Sequence, residues 1–140
     1  MGDKTTAVFI DTGTFVALRN ADDEFHIRSK ELMKRALKGE FGGVFTSDYV
    51  VDEAITTALV RTRRHDLAVD LGKYIIESPR ITKLWTTEDT FDVAWKKFQT
   101  FKDKLLSFSD CVSLALMEKN CIKQIMSFDS GFDGLTQRIY

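Results

Sequence analysis

The chain has 140 residues, of which 44% are hydrophobic and 29% charged, and its formal net charge is −1. This length and composition predict one globular domain over residues 1–140 and exclude a disordered or fibrous protein. The near-neutral charge excludes a globally basic nucleic-acid binder, although a local basic patch or bound cations would still hold phosphates.

The first half of the chain alternates strand and helix patterns. The apolar run "AVFI" (7–10) predicts a strand buried on both faces, and Asp11 follows at its carboxyl end. A stripe of apolar residues predicts an amphipathic helix from Asp22 to Lys38, and "GGVFTS" (42–47) predicts a turn and a second strand. The next predicted helix has a dense apolar face, and Glu53 lies at the edge of that face.

The middle of the chain continues the pattern with one strand and one aromatic-rich helix. "ITKLW" (81–85) alternates in polarity and predicts an edge strand. In the following segment, a capping threonine and early acidic residues predict the start of a helix. Aromatic residues at helical spacing predict that this helix faces the core: Phe91, Trp95, Phe98 and Phe101.

The last third of the chain carries two more acidic residues at element boundaries. Ser109 is predicted to cap a helix from Asp110 to about Asn120, which places Asp110 in its first turn. The run "IKQIMSF" (122–128) predicts a strand that ends at Asp129. Any strand after this point is predicted to be short or absent.

Alternating strands and helices predict a three-layer α/β/α sandwich around a central, mainly parallel sheet. In such sheets, ligands bind beyond the carboxyl ends of the strands. Asp11 and Asp129 both follow predicted strands, so we expect their carboxylates to lie at the same edge.

The stretch "FIDTGT" (9–14) is compatible with three classes of aspartate enzyme. An aspartic protease requires an all-β fold, which this helix-rich pattern excludes. A phosphotransferase of the haloacid dehalogenase type requires a second aspartate at position 13, which is glycine, and the ion-pump motif requires lysine at position 12, which is threonine. The class that remains uses the aspartate to hold a metal ion for nuclease chemistry.

The other acidic residues support a metal site. Two carboxylates about 4 Å apart repel each other by roughly 4 kcal/mol at an effective dielectric constant of 20, and a divalent cation removes that cost. Carboxylate oxygens favour Mg²⁺ or Mn²⁺. Histidine is scarce, with His26 and His65 only, which argues against zinc or non-haem iron.

Three segments together resemble the PIN domain family, and most of all its small ribonuclease toxins of the VapC type. They are "VFIDTGTFVAL" with Asp11, "TSDYVVDEAITTAL" with Glu53, and "LSFSDCVSLALMEKNCIKQIMSFDSGFDGL" with Asp110 and Asp129. Each motif is weak alone, but the four acids in this order and spacing are specific. The resemblance extends over nearly the whole chain.

The resemblance implies Mg²⁺- or Mn²⁺-dependent hydrolysis of single-stranded RNA, with a 5′-phosphate and a 3′-hydroxyl as product ends. Asp11, Asp110 and Asp129 are then expected to coordinate the metal, directly or through water, while Glu53 is a ligand or orients the attacking water. Hydroxyls beside these acids are expected to hold the carboxylates or a phosphate oxygen: Thr12, Ser109 and Ser127. The resemblance also implies an antitoxin protein as partner and a symmetric homodimer.

Two rival functions keep the same fold. One is a catalytically silent PIN-like module that binds RNA or protein, and the other is an RNA-processing nuclease outside a toxin–antitoxin pair. A flap endonuclease is disfavoured because 140 residues leave no room for a helical arch. The sequence has no leader and no apolar run of membrane-spanning length, which predicts a cytoplasmic protein without membrane contact.

Two features have more than one interpretation. Asp133, four residues after Asp129, is either a solvated turn residue or a helper for a second metal. The cluster from Arg61 to His65 is either a solvated helix end that compensates the helix dipole or an RNA contact.

Overall fold

The computed structural model describes residues 6–140, and the first five residues of the predicted domain lie outside this range. Strands and helices alternate along the chain, as predicted from the sequence. In chain order they are β1 (Ala7–Ile10), α1 (Thr12–Arg19), α2 (His26–Leu37), β2 (Gly43–Ser47), α3 (Asp48–Thr62), α4 (His65–Ile76), β3 (Ile81–Leu84), α5 (Glu88–Thr100), α6 (Phe108–Lys119), β4 (Gln124–Met126), a 3-10 turn (Ser130–Phe132) and β5 (Gln137–Ile139).

The five strands form one sheet in the order β3-β2-β1-β4-β5, and every neighbouring pair is parallel. The predicted α/β/α sandwich with a mainly parallel sheet is therefore confirmed. The chain runs from β1 through β2 to the β3 edge, then returns to the other side of β1 for β4 and β5. The strand order thus reverses between β1 and β4, and in open parallel sheets this reversal creates a crevice at the carboxyl ends of the strands.

The centre of the sheet is the most deeply buried part of the molecule. Val8, Phe9 and Ile10 of β1 have no exposed surface, and Ile125 and Met126 of β4 are equally buried. This burial explains why β1 is a continuous apolar run instead of an alternating one. Within residues 6–140, no helix combines the length and apolar character needed to cross a bilayer.

Two sequence expectations about element bounds are wrong. The helix expected from Asp22 begins only at His26, after turns made by the preceding polar residues. The strand expected to end at Asp129 ends at Met126, so Asp129 lies in the loop beyond it. The last strand, expected to be short or absent, is present as β5 and is three residues long, as the first of these alternatives predicts.

The aromatic face of α5 is also less buried than expected. Phe91, Trp95 and Phe98 are each between 42% and 50% exposed, whereas the smaller Thr90 and Ala94 are the buried residues of this helix. Phe91 and Phe98 pack edge-on against Phe108 of α6. The helical spacing of these residues is as predicted. The aromatic side chains, however, pack against the neighbouring helix α6 and are partly exposed to solvent.

Candidate active site

Asp11 lies at the reversal point of the sheet, directly after the central strand. Its backbone N–H donates to the carbonyl of Met126 (3.0 Å), which ties the end of β1 to the end of β4. Asp11 also occupies the N-cap position of α1, yet its side chain makes no capping hydrogen bond to that helix. The side chain is only 8% exposed. A buried carboxylate that does not cap its helix needs another reason for its position.

Ser127 connects the first and fourth acidic residues. Its hydroxyl donates to Oδ2 of Asp11 (2.7 Å) and accepts from the backbone N–H of Asp129 (3.0 Å). Strand β5 holds Ser127 in turn, because Ser127 donates its N–H to the Ile139 carbonyl (3.1 Å) and its own carbonyl accepts from Arg138 (3.2 Å). The hydroxyl expected beside the acids thus contacts both of them.

The loop after β4 fixes the side chain of Asp129 through a backbone hydrogen bond. Its Oδ1 accepts from the N–H of Gly131 (2.8 Å), the second residue of the 3-10 turn. A side chain added at Gly131 would bring a Cβ to 3.1 Å from this same oxygen, so the close approach favours glycine there. One oxygen of Asp129 is therefore engaged by the backbone.

Asp110 is fixed by a capping box at the start of α6. The Ser107 hydroxyl accepts from the Asp110 N–H (3.0 Å), while Oδ2 of Asp110 accepts from the Ser107 N–H (2.9 Å). The expectation that Ser109 caps this helix is wrong, because only a residue three positions before the acid closes such a box. Asp110 is in the first turn, as predicted.

Glu53 lies on α3, and it completes the set. All four acids line one pocket of about 360 Å³, together with Thr12, Ser107, Ser127 and Phe128. Each acid comes from a different part of the chain: the end of β1, α3, the start of α6 and the loop after β4. The structure therefore brings together the four residues singled out in the sequence.

The electrostatics of the pocket reflect this convergence. Burial raises the pKa of Asp11 from 3.8 to about 7; the negative charges of Asp110 and Glu53 add to the rise, and the hydrogen bond from Ser127 opposes it. Burial also raises the pKa of Asp110, with further contributions from the charges of Asp129 and Glu53. Positive charge placed in this pocket would favour the ionised carboxylates.

The donor set fits a hard divalent cation. It consists only of oxygen atoms, which suits Mg²⁺ or Mn²⁺. Among residues 6–140, however, no three carboxylate, imidazole or thiol groups are arranged so that all would ligate one ion. Mg²⁺ usually binds through one or two carboxylates and completes its coordination with water and substrate phosphate. These residues therefore fit a partly hydrated cation better than a fully enclosed one.

One further hydroxyl in the pocket has no partner. The Oγ1 atom of Thr12 is buried and makes no hydrogen bond to the described part of the chain. A buried polar group without a partner costs free energy, so such groups often mark a bound water, ion or ligand. Thr12 follows Asp11 directly and lines the same pocket.

Residues 8–136 match the PIN domain family. The chain belongs to this family. Among the PIN relatives with curated names, the 23S rRNA-specific endonuclease VapC20 of Mycobacterium tuberculosis is 31% identical over 125 residues, which are 89% of this chain and 91% of the relative. A VapC ribonuclease from Archaeoglobus fulgidus is 26% identical over 130 residues, covering 90% of this chain and 79% of the relative.

A solved PIN structure gives the same architecture. The crystal structure of Mycobacterium tuberculosis VapC20, described as a toxin that cleaves the sarcin–ricin loop, matches with a TM-score of 0.80 and 29% sequence identity. The match covers 91% of this chain and 94% of that one. The predicted PIN and VapC resemblance is thereby confirmed.

Other features of the PIN pocket were missed or left open by the sequence. Asp133 does not line it; this exposed carboxylate pairs with the largely buried Arg138 (2.8 Å), which lowers the pKa of Asp133. Phe128 does line it and stacks on Phe25, with ring centroids 4.2 Å apart. No signal in the sequence pairs these two rings, because they lie far apart along the chain.

Proposed function

We propose that this protein is a metal-dependent endoribonuclease that acts as the toxin of a toxin–antitoxin pair. The observation that carries the proposal is the meeting of Asp11, Glu53, Asp110 and Asp129 in one pocket where the strand order of the sheet reverses. The VapC relatives, one of which is named as a ribonuclease and another as an rRNA endonuclease, support RNA as the substrate.

In this proposal three of the acids share one role, and Glu53 has one of two roles. Asp11, Asp110 and Asp129 would hold Mg²⁺ or Mn²⁺, directly or through water, and Glu53 would either share in that coordination or orient the attacking water. A cation held there would lower the pKa of water and neutralise charge on the phosphate. Ser127 keeps Asp11 and Asp129 at a fixed separation, and the free hydroxyl of Thr12 is available to a water or a phosphate oxygen.

The reaction is hydrolysis of a phosphodiester. Water adds to phosphorus, the bond from phosphorus to the 3′-oxygen breaks, and that oxygen leaves as a hydroxyl after taking up a proton. The product strands carry a 5′-phosphate and a 3′-hydroxyl. No histidine lines the pocket among the described residues, so proton transfer depends on carboxylates and water.

Cleavage assays test the proposal. Single-stranded RNA, ribosomal RNA, flap DNA and duplex DNA are incubated with Mg²⁺, and each reaction is repeated with EDTA. We expect RNA cleavage that EDTA abolishes, and no cleavage of either DNA.

Matched variants identify the site. Asp11→Asn is expected to abolish cleavage while the circular dichroism spectrum stays that of the folded protein. Asp92→Asn, which changes an exposed aspartate of α5 outside the pocket, is expected to retain full activity. Retained cleavage in Asp11→Asn would exclude the assigned site, and RNA binding without cleavage by the unmodified protein would favour a silent binding module instead.

We also propose an antitoxin as protein partner and the cytoplasm, where RNA targets are abundant, as the place of action. Apolar side chains stand exposed on α2 and α3, namely Ile27 (74%) and Val60 (62%), and they offer surface to a partner helix. Co-expression with the product of the neighbouring small reading frame tests this. We expect co-purification and inhibited RNA cleavage, whereas full activity in its presence would refute that pairing.

A homodimer is the third part of the proposal. The half-exposed aromatic rings of α5, with Leu105 fully exposed nearby in the chain, form apolar surface of the kind that subunits bury. Size-exclusion chromatography with light scattering is expected to give twice the mass of the chain. A monomer mass at micromolar concentration would contradict the homodimer.

A further inference from the structure

One side of α3 extends the candidate site away from the acidic residues. Glu53, Thr57 and Arg61 all line the pocket, and they are spaced by four residues. Side chains at this spacing lie on the same side of a helix. Since each residue of a helix rises 1.5 Å, Arg61 lies about 12 Å along α3 from Glu53. The pocket therefore runs from an acidic end to a basic end.

Arg61 is the only Lys or Arg among the described residues that line this pocket. Its guanidinium makes no ion pair or hydrogen bond within residues 6–140. The same is true of Arg63, whereas the other arginines all have a carboxylate or carbonyl partner: Arg19, Arg28, Arg35, Arg64, Arg80 and Arg138. Arg61 thus has five N–H donors available at the wall of a pocket.

The phosphates of a nucleic-acid strand bound in this pocket would lie in different electrostatic environments. The scissile phosphate belongs beside the acids, where a cation offsets the repulsion between phosphate and carboxylate. The neighbouring phosphates of the strand lie outside the reach of that cation and still face a surface with four acids. A cationic side chain on the continuing wall would hold one of them, because arginine binds phosphate with short, charge-assisted hydrogen bonds.

We propose that Arg61 binds a phosphate of the RNA strand next to the scissile one and so positions the strand across the acids. This inference rests on the proposed ribonuclease function and adds a substrate-binding residue to it. Contact with the phosphate implies no base preference, so Arg61 contributes equally to all RNA sequences.

Arg63 is a matched control for Arg61. It is the same residue type, two positions away, exposed, and without a partner among the described residues. It does not line the pocket, and it ends α3 with a left-handed backbone (φ 59°). Both arginines lie near the carboxyl end of α3, so both would stabilise the helix dipole. A purely structural role predicts similar consequences for the two substitutions.

The test is steady-state cleavage of a single-stranded RNA that the unmodified protein cuts, measured at several KCl concentrations. For Arg61→Gln we expect KM to rise about tenfold with kcat nearly unchanged. Each phosphate contact to a single strand contributes about 0.7 to the dependence of log affinity on log salt, so the salt slope should fall by about that amount. Arg61→Lys, which keeps the charge, is expected to restore most of the slope, and Arg63→Gln to match the unmodified protein.

Equal kinetics for Arg61→Gln and Arg63→Gln would overturn the inference, and so would a loss of kcat with unchanged KM and salt slope. In both cases RNA cleavage by the unmodified protein leaves the proposed function standing. If the unmodified protein cleaves no RNA, the proposed function fails and this inference fails with it. Circular dichroism of each variant confirms that the kinetics compare folded proteins.

Discussion

Replacing Asp11 with asparagine is expected to stabilise the metal-free protein at neutral and alkaline pH. Asp11 is 8% exposed as a residue, and the pKa of its carboxyl rises from 3.8 to about 7 on folding. Keeping this group ionised in the folded state therefore costs at most about 4 kcal/mol above pH 7, at 1.36 kcal/mol per pH unit. Asparagine carries no charge, and its amide oxygen still accepts the hydrogen bond from Ser127, so we expect a net gain of about 2–4 kcal/mol.

The sign of the pH dependence follows from proton binding. Between about pH 4 and pH 7, the folded carboxyl retains a proton that the unfolded chain has released, so the free energy of unfolding falls as pH rises. Asp11→Asn removes this contribution. The difference between the two proteins should therefore already reach about 1–2 kcal/mol near pH 5 and be largest near pH 8.

Urea denaturation in EDTA, followed by circular dichroism from about pH 5 to about pH 8, measures the difference. Asp133→Asn is the control. The pKa of this exposed carboxyl is lowered, so its removal should not change the decrease in the free energy of unfolding as pH rises from about 5 to about 8. Adding Mg²⁺ should stabilise the unmodified protein and not Asp11→Asn. A flat pH profile in the unmodified protein, or an Asp11→Asn variant less stable near pH 8, would refute the reasoning.

Three other substitutions test individual contacts. Ser127→Ala should raise the pKa of Asp11 further, because its hydrogen bond lowers that pKa, and should move the acidic limb of the kcat/KM profile to higher pH. Ser107→Ala removes the hydroxyl that accepts from the Asp110 N–H, while the Ser107 N–H still donates to Asp110; it should cost about 1 kcal/mol in urea denaturation, and an unchanged midpoint would show that this hydrogen bond contributes nothing. Gly42→Ala should cost more than about 2 kcal/mol, because Gly42 has a φ of 83° and a Cβ there would overlap the main chain just before β1; a smaller loss would mean that this turn relaxes.

The sequence predicted the structure best where a short local pattern determines a strand or the start of a helix. The apolar run before Asp11 predicts a buried parallel strand, and the end of that strand then determines where the carboxylate lies. Asp110 was placed correctly in the first turn of a helix, but the cap was assigned to Ser109 instead of Ser107. Both serines precede the acid, and only the three-residue spacing closes the hydrogen bonds on both sides.

The sequence was least informative where the outcome depends on packing between distant segments. Helical spacing identified the aromatic residues on one side of α5. Spacing alone does not determine whether that side packs against the sheet or against another helix, and Trp95 is half exposed. The role of Ser127 depends on the pairing of β1 with β4, which brings it to Asp11. Arg61 could be placed at a helix end, but its position on the pocket wall required the three-dimensional course of α3.

The position of β4 beside β1 has a consequence for synthesis on the ribosome. The ribosome makes β1, β2 and β3 in succession, whereas the other neighbour of β1, β4, follows more than 110 residues after β1. A nascent chain therefore contains Asp11 and Glu53 well before Ser127 and Asp129 are made. Because pairing so distant in sequence must wait for the later segment, the pocket closes only after translation has passed β4. The order of translation thus delays completion of the acidic site until β4 and the loop after it have been made.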